Sequence, residues 1–561
     1  MTDDQGYGDL GYNGNPWLKT PHLDRFAAGS LVLTNFHSGT TCTPTRAGLM
    51  TGRNANRNNA WHTIAGCSIL KADEETMAEV FARNGYETAM FGKWHLGDNY
   101  PYRPHDRGFQ TALYHGGGGV GQTPDYWDND YFDDTYYRNG KPEKFKGYCT
   151  DVWFDETIKY IKNKKEISRP FFIYLAPNAA HSPFNLPEKY LKTHASAPLA
   201  DGQKRFYGMI NNIDENFGKL ATYLESEDLL NNTILVFTTD NGTANGINYV
   251  KSENRTLGYN AGLRGVKGSP YDGGHRVPFL IKWPDGGILS KTSLHEMIAH
   301  VDLLPTLAAL AGISFTPKKP LDGTNVAGIL RGEVQSLDRM LVIDTQRKQW
   351  PEKGRNSCVM STEWRLVHGT ELYNTSKDPG QAQDVAEQFP ALVDKMNRFY
   401  DEWWSTIEAD FEYAVIPVGK EPVELTIHDL HTEEFLPWNQ GQIRKANFNP
   451  GGFYILHIEE EGDYIFRMGR YPRESGLAIQ DEVESIPATA TRDGLPAGKG
   501  IKAVAAIIEL NDSTWQEHVD AGKTHAIFRK RLKQGQYKFN SKFVTADDEH
   551  YTVYYHSIEK M

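Results

Sequence analysis

From residue 1 to about 330, short apolar runs rich in β-branched and aromatic residues alternate with longer stretches whose apolar positions recur every three or four residues. The runs fall at 87–91, 171–176, 234–239 and 277–283. Between them, Thr20-Pro21 supplies a helix N-cap followed by a proline at the first helical position, and 75–84 closes on Gly85, a helix stop. Segments 205–224 and 298–311 have the period of longer, amphipathic or buried helices. Such alternation predicts an α/β fold, with a mostly parallel central sheet flanked by helices on both faces.

The pattern then changes twice. Residues 335–415 predict a small α+β subdomain: a strand at 340–344, another at Trp364-Arg365-Leu366-Val367, and a helix from Pro390 to about Ser405. Residues 416–561 alternate with period two and predict an all-β sandwich, with strands at 453–458, 464–468, 503–510, 526–532, 537–544 and 551–558 and no helix. The first two of these flank Glu-Glu-Glu-Gly-Asp and read as a hairpin. The 561 residues thus divide into a catalytic α/β unit at 1–334, a closing subdomain at 335–415 and an accessory β-domain at 416–561.

Composition narrows the function classes. Hydrophobic residues at 39% and charged residues at 24% are ordinary for a globular chain, and the net charge of -12 argues against a nucleic-acid or anionic-membrane surface. An anionic substrate therefore needs a local cluster of cations. Four cysteines (Cys42, Cys67, Cys149 and Cys358) make no disulfide scaffold, lack metal-ligand spacing and leave any pairing open. No apolar run reaches the roughly 18–20 residues of a membrane span.

Candidate chemistry starts at Cys42-Thr43-Pro44-Thr45-Arg46, where Pro44 and the later Gly52 predict a helix that begins just after Cys42. Free N–H groups and the helix dipole there favour an anion. A lone cysteine is more often a small buried apolar residue, but a guanidinium one turn away suits an oxyanion better than a core. Asp3 and Asp4 are adjacent, and the run 234–239 leads directly into Asp240-Asn241-Gly242. Ligands collect at the carboxyl ends of strands in open α/β sheets, and four oxygen donors from Asp3, Asp4, Asp240 and Asn241 suit Ca²⁺ or Mg²⁺ rather than zinc. Asp-Asn-Gly alone is equally a turn. Lys93 and His95 lie on one side of an extended Gly92-Lys93-Trp94-His95-Leu96-Gly97, His181 stands in Ala180-His181-Ser182-Pro183, and Lys267 stands in Gly265-Val266-Lys267-Gly268, ahead of Asp272-Gly273-Gly274-His275-Arg276-Val277-Pro278. Taken singly, each is an ordinary loop charge.

Taken together, in their order and spacing over roughly residues 1–410, these segments resemble the type I sulfatase family of the alkaline-phosphatase superfamily. Residues 347–381, with Trp364-Arg365-Leu366 and Glu371-Leu372-Tyr373, look like the closing subdomain of bacterial polysaccharide sulfatases. The resemblance implies an alkaline-phosphatase-like fold and a sulfate-ester hydrolase. Its nucleophile would be a hydroxyl of hydrated formylglycine, made from Cys42 by a formylglycine-generating maturation enzyme. It implies Ca²⁺ or Mg²⁺ held by Asp3, Asp4, Asp240, Asn241 and position 42, with Asp240 accepting the nucleophile's proton. Lys93, Lys267 and Arg46 would neutralise the sulfate oxygens, and His181 would protonate the leaving oxygen. His95 would help to break down the sulfated enzyme by C–O cleavage. Action on a sulfated polysaccharide or oligosaccharide outside the cytoplasm, periplasmic or secreted, belongs to the same implication.

Two departures stand out. The family has an apolar strand directly before the Asp-Asp pair, and none precedes Asp3 here, although a central strand cannot be dropped without exposing unpaired edges. Residues upstream of Met1 are therefore expected, an apolar strand of roughly four to six residues preceded by a secretory signal. Asp272 also stands where glutamate is commoner. A phosphodiesterase or phosphonate hydrolase of the same superfamily, and a catalytically silent carbohydrate-binding protein, are the competing functions. For substrate contacts, residues 114–137 form a glycine-hinged loop dense in aromatics and carboxylates that suits sugar rings, with His115 and Trp127 as contacts. Arg103, His105, Arg347 and Trp350 are further candidates for a neighbouring sugar.

Overall fold

The computed structural model describes residues 1–164, 169–250 and 255–561. Strands Glu87–Lys93, Thr111–His115 and Phe171–Ala176 run parallel, and the hairpin Thr135–Arg138/Lys141–Lys144 continues the sheet from Thr111–His115. A second sheet has the order Thr292–Leu294, Leu31–Leu33, Phe279–Lys282, Leu235–Thr238. Its side chains alternate between two cores. Leu31, Leu33, Phe279 and Ile281 face helices Met77–Arg83 and Leu303–Leu310, whereas Val32, Leu280 and Phe237 face Pro21–Gly29, Cys149–Lys164 and Asp201–Ser226. Burial on both faces explains why these strands read as continuous apolar runs.

Met1 to Asp3 link the two sheets. The Met1 ammonium donates to Leu175 O (2.8 Å), Thr2 N donates to Thr238 O (2.9 Å), and Asp3 exchanges bonds with Ala179 O (3.1 Å) and Ala180 N (2.8 Å). Beside Met1, a cavity of about 830 Å³ runs between Phe171–Ala176 and Leu235–Thr238, lined by Phe171, Ile173, Leu235, Phe237, Phe217 and Leu303.

Strands Leu341–Ile343, Cys358–Met360, Trp364–Val367 and Glu371–Asn374 form an antiparallel meander that buries Val359, Leu366 and Leu372 against Met396, Tyr400 and Trp404 of helix Pro390–Ser405. The C-terminal residues build two sheets around one apolar core that includes Leu456, Ile458, Phe466, Ile508, Phe528 and Phe539. The hairpin expected at 453–468 does not form. Tyr454–Ile458 pairs with Val415–Val418 and Gly535–Thr545, whereas Gly462–Gly469 pairs with Ala526–Leu532 and Tyr555–Lys560 in the opposite sheet. The acidic Glu459-Glu460-Glu461 segment therefore crosses between sheets, and both strands still send their apolar faces into the shared core. A short helix, Gln440–Lys445, capped by Asn439, interrupts the otherwise all-β pattern.

Helix Leu303–Leu310 starts later than its apolar pattern suggests. Ile298–Ala299 pairs with Phe36–His37, and the Asp302 carboxylate accepts from Ala299 N (2.8 Å) before the helix begins. All four cysteines are buried and free. Among the described residues, no helix is long and apolar enough to cross a membrane.

Candidate active site

Helix Cys42–Thr51 begins on Cys42 and ends on Gly52, whose φ of 68° is the left-handed stop that glycine supplies. Cys42 thus sits in the first turn, and its Sγ donates to Asp3 Oδ1 (3.5 Å). Around it the carboxyl ends of several strands converge: Asp3 and Asp4 beside the parallel sheet, Lys93 at the end of Glu87–Lys93, and Asp240 just beyond Leu235–Thr238. Ligand atoms of Asp3, Asp4, Cys42 and Asp240 all lie within 4.8 Å of one another, and all four residues are buried. Backbone geometry tightens this knot: Asp4 N donates to Asp240 Oδ1 (3.1 Å), and Thr45 Oγ1 donates to the Asp240 carbonyl.

Three cations complete the cluster. Arg46 Nη2 lies 2.8 Å from Asp240 Oδ2 while its Nη1 donates to Lys93 O (2.9 Å); Lys93 Nζ lies 2.5 Å from Asp3 Oδ2; Lys267 Nζ lies 2.6 Å from Asp4 Oδ1. The side chains of Arg46, Lys93, Asp3 and Asp240 have no exposure, whereas those of Lys267 and His181 keep 16% and 15%. The cluster therefore meets solvent on the side of Lys267 and His181.

Burial, then the charges of Asp240 and Asp3, push the Cys42 thiol up to about 12, so it is a neutral thiol across the physiological range. Burial and the neighbouring Asp240 charge push Asp3 up to about 7, against the pull of Lys93. Burial works the same way on Asp4 and Asp240, but Lys267 and His181 outweigh it at Asp4, and Arg46 and Lys93 outweigh it at Asp240. Both are held below the usual carboxylate range.

A divalent cation fits these residues. Asn241 donates its Nδ2 to Asp4 Oδ1 (2.8 Å) and to Gly242 O (2.9 Å), which leaves Oδ1 buried without a partner beside three carboxylates. An orphaned buried amide oxygen is costly unless something positive meets it. The donors other than Cys42 are all oxygen, the set that Ca²⁺ and Mg²⁺ take. The group His37, Asp272 and His275 is different. His37 and His275 share a bond between their Nδ1 atoms (2.9 Å), and Arg365 lies 2.8 Å from Asp272 and 3.1 Å from His37 Nε2, so a guanidinium already supplies the positive charge there.

The two remaining histidines differ in what they offer. His181 Nδ1 bonds Ser182 O (2.7 Å), leaving Nε2 to face the cluster 3.8 Å from Asp4 Oδ2. Burial and Lys267 lower its pKa to about 4. His95 Nε2 bonds Thr63 O (2.9 Å), while its Nδ1 is buried and unpartnered, a free acceptor. The glycine run 116–119 lies against both rings: a Cβ on Gly118 would come 2.3 Å from His95 Cε1, and one on Gly119 would come 3.1 Å from His181 Nδ1.

A family model described as Sulfatase matches residues 1–313. The chain belongs to the sulfatase family. It is 30% identical over 377 residues to mouse arylsulfatase G, covering 61% of this chain and 70% of that one. It is 32% identical over 433 residues to human arylsulfatase A, covering 70% and 80%. Among solved structures it resembles one described as Ps i-CgsB in complex with k-i-k-neocarrahexaose, with a TM-score of 0.65 and 26% identity over 74% of this chain and 94% of that one. This sulfatase is accordingly a sulfuric ester hydrolase of the alkaline-phosphatase-like fold.

Cys42, Arg46, Lys93, His181, Lys267, Asp240, Asp3, Asp4 and Asn241 stand together, with His95 beside them under the glycine run. His115 ends its strand opposite Lys93, wholly buried, with Nδ1 bonded to Gly116 O (2.9 Å) and Nε2 unpartnered.

The remaining substrate candidates are placed otherwise. Trp127 is buried against Tyr471 (ring centroids 5.5 Å apart) and lies beneath Arg444, packing the catalytic part onto the C-terminal sheets instead of facing a sugar. Its loop satisfies itself: Asp125 accepts from Gly121 N and Asn129, Asp134 accepts from Asp130 N, Tyr131 N and the Tyr136 hydroxyl, and Tyr131 OH donates to His181 O (2.6 Å). Arg103 is committed to Asp106 and Glu421 (2.7 Å each), His105 lies against that pair 4.0 Å from Asp106, and Trp350 packs on Tyr413 (4.7 Å). Arg347 is exposed and makes no hydrogen bond or ion pair with the described residues. Trp127→Ala is therefore expected to cost about 3 kcal/mol of stability by calorimetry and to reduce turnover of small and large substrates alike.

Proposed function

We propose that this sulfatase removes sulfate from a sulfated polysaccharide or oligosaccharide, using a hydroxyl nucleophile on formylglycine made from Cys42, with Ca²⁺ or Mg²⁺ as its cation, in the periplasm or outside the cell. The carrying observation is the buried knot of Asp3, Asp4, Asp240 and three cations around the Cys42 side chain at a helix N-terminus. A thiol held neutral by its surroundings is a poor nucleophile, and the same surroundings suit an oxygen nucleophile made from it by a maturation enzyme.

A cation bound by Asp3, Asp4, Asp240 and Asn241 would supply positive charge that lowers the pKa of an adjacent hydroxyl and draws in sulfate oxygens. Asp240, kept ionised by Arg46, accepts the proton from the nucleophilic hydroxyl. Lys93, Lys267 and Arg46 offset charge on the sulfate oxygens as the S–O bond breaks. His181, on the open side, gives a proton to the leaving oxygen through Nε2 as an imidazolium, the form that an anionic sulfate bound beside it favours against the lowering by burial and Lys267. His95 Nδ1 takes the proton whose removal restores the aldehyde.

Two things support a saccharide substrate: the solvent-facing mouth at His181 and Lys267, and a relative solved with a neocarrahexaose. The test is sulfate release by the matured enzyme from a panel of sulfated oligosaccharides and from small aryl sulfates. Release from at least one oligosaccharide is expected. Release from the aryl sulfates alone would overturn the saccharide assignment.

A further inference from the structure

Three parts of the chain, distant in sequence, meet just outside His95. The first is His62, one residue before Thr63, whose carbonyl takes His95 Nε2 (2.9 Å). The second is Arg347: its neighbour Lys348 accepts at O from Trp61 Nε1 (3.0 Å) beside His62, and Thr345 Oγ1 bonds Gly268 O next to Lys267 (3.0 Å) and Thr40 Oγ1 (2.7 Å) just before Cys42. The third comes from the C-terminal sheets, where residues 437–440 clamp the segment that follows the glycine run. Thr123 N donates to Trp438 O (3.2 Å), Thr123 Oγ1 donates to Pro437 O (3.0 Å), and Gln440 N donates to Gly121 O (3.0 Å). Gln122, paired with Asn439, accepts from Gly118 N (3.1 Å), and Gly118 lies on His95.

Trp438 is placed there partly exposed. Its indole is half-buried, lies 6.4 Å from the His62 ring at 54° and 6.1 Å from the His428 ring, and its Nε1 makes no hydrogen bond with the described residues. The His62 ring is itself buried, and burial with the charge of Arg347 lowers its pKa to about 3, so it backs Trp438 as a neutral ring. Arg347 itself is exposed and unpaired, in contrast to Arg46, Arg103 and Arg365, each committed to a carboxylate. A partly exposed indole with a free N–H takes the C–H face and a hydroxyl of a pyranose, and an unpaired guanidinium takes an anion.

We propose that Trp438, backed by His62, and Arg347 form a subsite for the sugar next to the one losing sulfate, with Arg347 binding an anionic substituent, sulfate or carboxylate, on that neighbour. This rests on the saccharide reading above. It makes the C-terminal sheets part of the substrate site and not only a packing partner.

The test compares kcat/KM of the matured, full-length enzyme for a sulfated oligosaccharide that the wild type hydrolyses with kcat/KM for a small aryl sulfate, which is too short to reach the subsite. Trp438→Ala is expected to lower the ratio about tenfold through KM, and Trp438→Phe to restore most of it. Arg347→Ala is expected to lower the ratio only for oligosaccharides whose neighbouring sugar is anionic. An unchanged ratio in both alanine variants overturns the subsite, whether both rates fall together because the Gly121–Thr123 contact is lost or neither moves. A wild type inactive on every oligosaccharide sinks the saccharide reading first, so the two failures are told apart.

Discussion

Cys42→Ala is expected to lower sulfate release by at least about 10⁴-fold while leaving the fold in place. The loss follows from position: Cys42 is the one side chain that touches the carboxylate cluster from a helix N-terminus, and nothing else among the described residues there offers a hydroxyl or thiol able to attack. The fold should survive because the thiol contributes little: its one bond is the 3.5 Å contact to Asp3, and removing a single buried sulfur costs about 1 kcal/mol. A shift in Tm of no more than about 3 °C follows for a domain of this size. In wild-type protein co-expressed with a formylglycine-generating enzyme, mass spectrometry of the tryptic peptide 26–46 should find an aldehyde at position 42. Turnover surviving in Cys42→Ala, or an active enzyme whose residue 42 is still a thiol, would end the formylglycine reading.

What the sequence made legible was mostly local. The helix carrying Cys42 could be read from Pro44 and Gly52, and the helix within 75–84 from its stop at Gly85. The charged residues were legible because their segments recur in one order, and the structure brings Asp3, Lys93, Asp240 and Lys267 into contact from four separate stretches. Pairing was less legible. Period-two alternation says which side chains face inward but not which strand lies alongside, so Tyr454–Ile458 and Gly462–Gly469 looked like a hairpin although they belong to opposite sheets.

Aromatic residues misled for a related reason. An aromatic, acidic loop reads the same whether its rings line a groove or fill an interface, and only Tyr471 and Arg444, over 300 residues further on, decide that Trp127 is buried. His62 and Trp438 carried no local signal, because each becomes notable only beside the other. Thr45, which donates to the Asp240 carbonyl, and Tyr131, which donates to the His181 carbonyl, were likewise invisible until the chain had folded. Both bonds fix the backbone of a residue to which the proposed mechanism gives a proton transfer.

Removing divalent cations is expected to abolish activity, and Ca²⁺ or Mg²⁺, but not zinc, to restore it. The basis is electrostatic: Asp3, Asp4 and Asp240 crowd into one buried site, Asp3 is driven up to about 7 partly by Asp240, and Asn241 Oδ1 has no donor. A hard cation relieves all of these at once, so it should bind the folded state and stabilise it by about 2.7 kcal/mol at a hundred times its Kd, visible as a rise in Tm in the absence of any substrate. Asp240→Ala should lose that rise together with activity, but it also strips Arg46 of the carboxylate 2.8 Å away and leaves it only Asp3 at 3.7 Å, and breaking a buried ion pair costs about 3–5 kcal/mol. Asn241→Ala is the cleaner variant, because it deletes the orphan oxygen and leaves every ion pair of the cluster standing. Its apo Tm should fall modestly, because the Nδ2 bonds to Asp4 Oδ1 and Gly242 O are lost with the oxygen, and its cation-dependent rise should need a markedly higher Ca²⁺ concentration. If instead Ca²⁺ and Mg²⁺ leave the wild-type Tm unmoved, or zinc alone restores activity after chelation, the oxygen-donor site is not what these carboxylates are for.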